Sequence, residues 1–217
     1  MSQSTPASTF PADLLAEPES VGLSRAQLTR IDDHLRRRYL EPRKIAGALT
    51  LVARGGKVAW LSPLGSRDLE RDRPMEVDTL FRIYSMTKPV TSVALMMLHE
   101  AGAFQLGDRV SRFLPQWRDL KVYESGSHPD FITRSCEREM TVRDLMTHQS
   151  GLTYGFMERT PIDAAYRKLR VETRFHHALG GMVDQLAELP LEFSPGTKWN
   201  YSVSTDILGR LVEVISG

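Results

Sequence analysis

The chain has 217 residues, 41% of them hydrophobic, and a formal net charge of +1. That length supports one large domain or two small ones with a sizeable core, and the near-neutral balance gives no reason to expect nucleic acid or an acidic membrane as a partner. The single cysteine, Cys136, excludes an internal disulfide, and no stretch of sequence is long and apolar enough to span a bilayer.

Residues 1–20 are polar and rich in Ser and Pro, and they read as a flexible arm. They lack the basic start and apolar centre of a secretory signal, so a cytoplasmic protein is the default expectation. A helix is expected from Ser24, with Gln27 in the fourth place of a capping box and Leu28, Ile31 and Leu35 as its apolar stripe. Arg36-Arg37-Arg38 reads as a solvated face rather than a binding patch. A hairpin follows: strand 46–53, turn 54–57 around Gly55-Gly56, return strand 58–64. A further short strand is expected over 79–83.

The next helix is predicted from Ser85 to Glu100, stopping at Gly102, with Pro89 in its first turns where a missing amide hydrogen costs little. Val90, Val93, Ala94, Met97 and Leu98 are its predicted buried face. A helical turn is expected over 108–113. Residues 124–139 are polar and turn-rich and read as a surface loop. Thr141 is a candidate cap for a short helix holding Val142, Leu145 and Met146, which His148-Gln149-Ser150-Gly151-Leu152 breaks. Helices over 181–188 and 204–215 complete the series. A lone hairpin is marginal without neighbours, and few further strands are visible, so the sheet is expected to be incomplete.

The chemistry is concentrated in Ser85-Met86-Thr87-Lys88. Helical periodicity puts residues three apart on one face, so the hydroxyl can meet the amine. A serine hydroxyl is a weak nucleophile until a neighbouring base takes its proton, and a lysine of lowered pKa can be that base. Ser85 is the only serine here followed three places on by lysine. The second signal is Trp199-Asn200-Tyr201-Ser202-Val203-Ser204. A tyrosine just before a helix start lies near the positive end of the dipole and, with a lysine nearby, ionises more easily. Each signal is weak by itself; a half-buried tyrosine with a hydrogen-bonded tip is the commoner arrangement.

Together, in this order and spacing, the segments resemble the serine hydrolases of the class C β-lactamase and penicillin-binding-protein fold, and most closely their esterase branch, the family VIII carboxylesterases. The resemblance spans most of residues 20–217. It rests on residues 85–92, on Thr141-Val142-Arg143-Asp144-Leu145-Met146-Thr147-His148-Gln149-Ser150-Gly151-Leu152, and on Pro195-Gly196 leading to Tyr201-Ser202. It implies an α+β fold, with an antiparallel sheet flanked by helices and a mostly helical domain. Residues 21–84 would form the first part of the α/β domain and residues 85–217 the nucleophile helix and helical domain.

The resemblance also implies roles. Ser85 would be the acylated nucleophile, Lys88 would take or relay its proton, and Tyr201 would act as general base and acid. The Ser85 amide would supply one oxyanion-hole donor, worth about 3–4 kcal/mol in favourable cases. Tyr154 and Phe156 would line the acyl pocket. No cofactor or metal is implied, and adjacent His176-His177 lack an acidic cluster that would make them ligands.

Two departures from the family pattern matter. The family's Tyr-x-Asn has Val203 in its third place, which cannot hydrogen-bond a β-lactam's amide side chain, so short-chain esters are the expected substrates. The family's third motif, a Lys/His/Trp-x-Gly strand segment, would fall beyond Gly217, so a second chain or fragment carrying the C-terminal half of the fold is an expected partner. The alternatives are a β-lactamase or D-amino-acid peptidase using the same nucleophile, and a non-catalytic penicillin-recognising or scaffold protein.

Overall fold

The computed structural model describes residues 11–174 and 179–217. Contacts divide them into two units, one ending at Arg82 and the other running from Ile83 to Gly217.

In the first unit, helix α1 (Arg25–Leu35) starts where the Ser24 hydroxyl accepts the Gln27 amide hydrogen at 3.4 Å. The hairpin is present as β1 (Gly47–Arg54) and β2 (Lys57–Asp68), antiparallel with Thr50 opposite Ser62. Gly55 and Gly56 both have positive φ, which is what a tight two-residue hairpin turn demands. A two-residue strand, β3 (Arg73–Pro74), pairs with the far end of β2. Asp32 on α1 accepts hydrogen bonds from Ser62 Oγ at 2.6 Å and Trp60 Nε1 at 3.3 Å, which ties the helix to the sheet. Upstream, the Ala16 amide donates to Val58 O at 3.0 Å, so residues 15–16 lie along β2. Arg36, Arg37 and Arg38 are all exposed. The expected strand over 79–83 is not formed. Leu80 is 97% exposed, and the segment has no neighbouring strand among the described residues. Strand preference is realised only against a partner.

In the second unit, helix α2 (Thr87–Glu100) follows a 3-10 turn over Tyr84–Met86 and ends before Gly102, whose φ is +76°. Its predicted buried face is only partly right, with Ala94 and Leu98 half-buried and Leu98 packed against the core. Leu95 is fully buried, whereas Val90, Val93 and Met97 are each about 60% exposed. The helix is apolar on two sides, and α7 (Ser204–Ser216) covers only the Leu95 side. Hydropathy alone could not say which stripe had a partner. On α7, Ile207, Leu208 and Leu211 point inward and are essentially buried.

The polar stretch expected as a loop is a hairpin instead, β4 (Lys121–Ser127) paired with β5 (Asp130–Ser135). Both strands are mostly water-exposed, so few apolar residues marked the alternation. Tyr123 and Phe131 meet edge to face at 5.8 Å and 89°. Helix α3 (Val142–Met146) has the predicted cap, and it is reciprocal: Thr141 Oγ1 accepts from the Asp144 amide while the Asp144 carboxylate accepts from the Thr141 amide. The same signature, Thr160-Pro161-Ile162-Asp163, opens α4 (Pro161–Leu169), which the sequence reading passed over. Short α5 (Val171–Arg174) and α6 (Leu179–Ala187) follow. The core of this unit gathers Leu95, Trp117, Leu145, Ile162, Val183 and Leu208, and Trp117 Nε1 donates to Val183 O at 3.2 Å.

Asp144 is the anchor of this region. Its carboxylate, nearly inaccessible, accepts two hydrogen bonds from Arg138 at 2.7 and 2.8 Å and two from Thr141. Burial by itself would raise its pKa, but these donors outweigh it and hold the group below the usual carboxylate range. Asp144→Ala should cost about 2–3 kcal/mol, because it strips the cap and leaves Arg138 and Thr141 unmatched. The folded-state pKa is depressed, so this contribution is present above the unfolded carboxylate pKa and is lost as pH falls through the folded one. Denaturant unfolding of wild type and variant should therefore differ at neutral pH and converge in acid.

Candidate active site

The nucleophile candidate is presented by a strained turn. Tyr84, immediately before Ser85, has φ +45°, in the left-handed region that a bulky side chain enters only when its surroundings impose it. The turn feeds straight into α2 and leaves Ser85 exposed, with Lys88 one helical turn on and half-buried.

Tyr201 arrives from a different part of the chain. The segment 199–204 is laced to the loop 148–153: Asn200 N donates to His148 O at 2.9 Å, Asn200 Nδ2 to Leu152 O at 3.0 Å, and Val203 N to Thr153 O at 3.2 Å. Gly151 allows the loop its shape. Its φ is +87°, and a Cβ there would collide with the carbonyl oxygen of Phe193. Buried hydroxyls continue the lacing, with Ser204 Oγ 2.8 Å from both Ser202 Oγ and Ser150 Oγ. His148 Nδ1 lies 3.3 Å from Ser202 Oγ, and its ring is 5.1 Å from that of Tyr201.

The result is a compact polar cluster. Ser85 Oγ is 2.7 Å from Tyr201 Oη. Lys88 Nζ donates to Tyr154 Oη at 3.2 Å and stands 4.5 Å from the centre of the Tyr201 ring. Phe156 stacks on Tyr154 at 4.9 Å and 24°, its outer face exposed. The structure thus brings Ser85, Lys88, Tyr201 and Tyr154 together, with Phe156 beside them. His176 and His177 lie outside the described residues.

The electrostatics separate the two tyrosines. Tyr201 is pulled below the ordinary phenol value, first by the Lys88 ammonium beside it and then by its hydrogen bond with Ser85. Tyr154 is pushed up, because burial outweighs the help of Lys88. Burial disfavours the Lys88 ammonium, but its polar contacts with Tyr201 and Tyr154 outweigh that, and its pKa is raised. This departs from the sequence expectation of a lysine base of lowered pKa. Lys88 is a cation at neutral pH, and of the two phenols Tyr201 is the easier to ionise. Burial, and secondarily Lys88, lowers His148, which keeps that imidazole neutral.

A cavity of about 450 Å³ opens beside Ser85, within the range of small-molecule sites. Leu179, Met182 and Val203 supply apolar wall, and Glu172 and Asp206 also reach it. Sequence reading missed both carboxylates. Asp206 sits in the first turn of α7, where it looks like an ordinary helix-start acid, and Glu172 belongs to a four-residue helix with no periodic signature. Cys136, the lone thiol, is half-buried elsewhere, donates to Leu120 O at 3.2 Å, and is pushed up by burial.

Mixed helices and antiparallel strands, with Ser-x-x-Lys at a helix start, match the β-lactamase/transpeptidase-like fold. The chain belongs to the Beta-lactamase family, which matches residues 33–217. Among curated proteins it is 38% identical over 171 residues to protein Rv1367c of Mycobacterium tuberculosis, covering 79% of this chain and 42% of that protein. It is 33% identical over 204 residues to Esterase EstB of Burkholderia gladioli, covering 93% of this chain and 49% of EstB. Among solved structures, EstCE1, described as a hydrolase with promiscuous acyltransferase activity, superposes with a TM-score of 0.72 at 26% identity, covering 88% of this chain and 48% of that one. The chain spans about half the length of the curated relatives it matches. No helix among the described residues is long and apolar enough to cross a membrane.

Proposed function

We propose that this chain carries the nucleophile half of a serine carboxylesterase acting on short-chain esters. The observation that carries the reading is the 2.7 Å contact between Ser85 Oγ and Tyr201 Oη, with Lys88 as the adjacent cation. Tyr201 takes the Ser85 proton as Oγ attacks the ester carbonyl. The tetrahedral intermediate expels the alcohol, which receives that proton, and leaves an acyl group on Ser85. Water then attacks the acyl carbon, gives a proton to Tyr201, and the proton returns to Ser85 Oγ. Lys88 stays protonated throughout and holds the phenolate form of Tyr201 within reach.

Val203 supports esters over β-lactams, because it presents no hydrogen-bonding group where a lactam's amide side chain would need one. Similarity to EstB supports the same reading. A second reading is acyl transfer to an alcohol in place of water. It is favoured by 32% identity over 193 residues to monacolin J acid methylbutanoyltransferase of Aspergillus terreus. The relatives' remaining length, together with the exposed Val90, Val93 and Met97 stripe and the outer edge of β1, unpaired among the described residues, supports a further polypeptide segment that completes the sheet and the oxyanion hole.

The test is turnover of p-nitrophenyl acetate and butyrate beside a chromogenic cephalosporin. Ester cleavage should dominate; faster cephalosporin opening would overturn the ester assignment in favour of a lactamase. Lys88→Met tests the charge assignment. Losing the ammonium raises the Tyr201 pKa, and since the ionised phenol is the active form, the acid limb of kcat/KM should move to higher pH. Activity near neutrality should fall by about a hundredfold. An acid limb that stays in place would remove Lys88 from control of Tyr201.

A further inference from the structure

The cavity beside Ser85 has an unbalanced set of charges. Among the described residues lining it, the charged side chains are Lys88, Glu172 and Asp206. Lys88 is already engaged: it donates to Tyr154 and faces the Tyr201 ring. Glu172, on α5, and Asp206, on α7, line the same cavity as Leu179, Met182 and Val203, and Asp206 lies within electrostatic reach of Lys88 and Tyr201. No Lys or Arg side chain forms an ion pair with either carboxylate among the described contacts. Glu172 accepts the Gly155 amide hydrogen, a bond that brings it no counter-charge.

We propose that Glu172 and Asp206 make this cavity selective by charge, admitting ester arms that are uncharged or end in an ammonium group and rejecting arms that end in a carboxylate. This rests on the ester reading above and narrows its substrate class. An anion moved into a partly apolar cavity loses water and meets two like charges against one cation, Lys88. An ammonium recovers its lost hydration from the same two groups. Burial raises the pKa of both carboxylates, yet Glu172 is exposed and Asp206 half-buried, so both stay open to an incoming donor. The inference bears on lactams too, since penicillins and cephalosporins carry a carboxylate next to the reacting ring.

The experiment uses two sets of p-nitrophenyl or alkyl esters of matched length. One varies the end of the acyl chain among methyl, ammonium and carboxylate; the other varies the alcohol in the same way. In at least one set, wild-type kcat/KM for the neutral and ammonium arms should exceed that for the carboxylate arm by about tenfold or more. Glu172→Gln, which keeps the acceptor for the Gly155 amide, and Asp206→Asn should each shrink that ratio severalfold. A carboxylate arm handled as well as the neutral one in both sets, or ratios unmoved in both variants, would overturn the proposal. A parallel panel of alkylboronic acids with the same three chain ends, read by the shift in thermal unfolding, reports charge preference without turnover. If no ester is cleaved but the boronates keep the order, the charge selection stands and the ester reading fails. Boronates that bind without regard to charge, or not at all, would sink the charge selection.

Discussion

Ser85→Ala should abolish ester turnover, lowering kcat/KM by about five orders of magnitude or more, since every later step passes through the acyl group on that oxygen. The effect should be confined to chemistry. Ser85 is exposed, and its side chain makes a single hydrogen bond, to Tyr201. Stability should therefore stay within about 0.5 kcal/mol of wild type. Mass spectrometry after brief exposure to an activated ester should find one added acyl group on wild type and none on the variant. Ester turnover that survives the substitution would remove Ser85 as nucleophile.

Tyr201→Phe should be nearly as severe, at about a 10³- to 10⁴-fold loss, the scale of a general base that also serves as the acid. The ring would keep its neighbours, His148 at 5.1 Å and Tyr154 at 5.2 Å, so the fold should be unaffected. Two readouts separate a proton-transfer role from a packing role. The acid limb of the pH profile, set in wild type by a phenol held below its usual value, should vanish rather than shift. Melting should be unchanged. A variant with near-normal turnover and an intact limb would transfer the role to another group, and Tyr154 would be a poor heir, since burial pushes its phenol up.

Much of the scaffold was legible because its signals are local. Thr141 and the Gly55-Gly56 pair act within three or four residues and did what their chemistry predicts; Ser24 caps α1, but the expected box does not close, because the Gln27 side chain accepts from Arg30 instead. The β4–β5 hairpin was missed because both of its faces are largely wet, so the alternation that identifies a half-buried strand was never written. The expected strand at 79–83 and the inward stripe of α2 erred for the same reason. A strand or an apolar stripe states a preference, and only a partner realises it. Thr160 through Asp163 carried a legible cap signature that went unread.

By itself the sequence marked Ser85, Lys88 and Tyr201 as candidates, but the expected hydrogen bond between the Ser85 hydroxyl and the Lys88 amine is absent among the described contacts. The tertiary structure decided what surrounds each of them. Contacts across 116 residues set Tyr201 against Ser85, and contacts across 66 residues gave Lys88 to Tyr154. Those contacts bias the charges, favouring the Lys88 ammonium and lowering the Tyr201 phenol, while burial raises that of Tyr154. A pKa depends on burial and on neighbours brought from distant parts of the chain, so no local pattern could have written it.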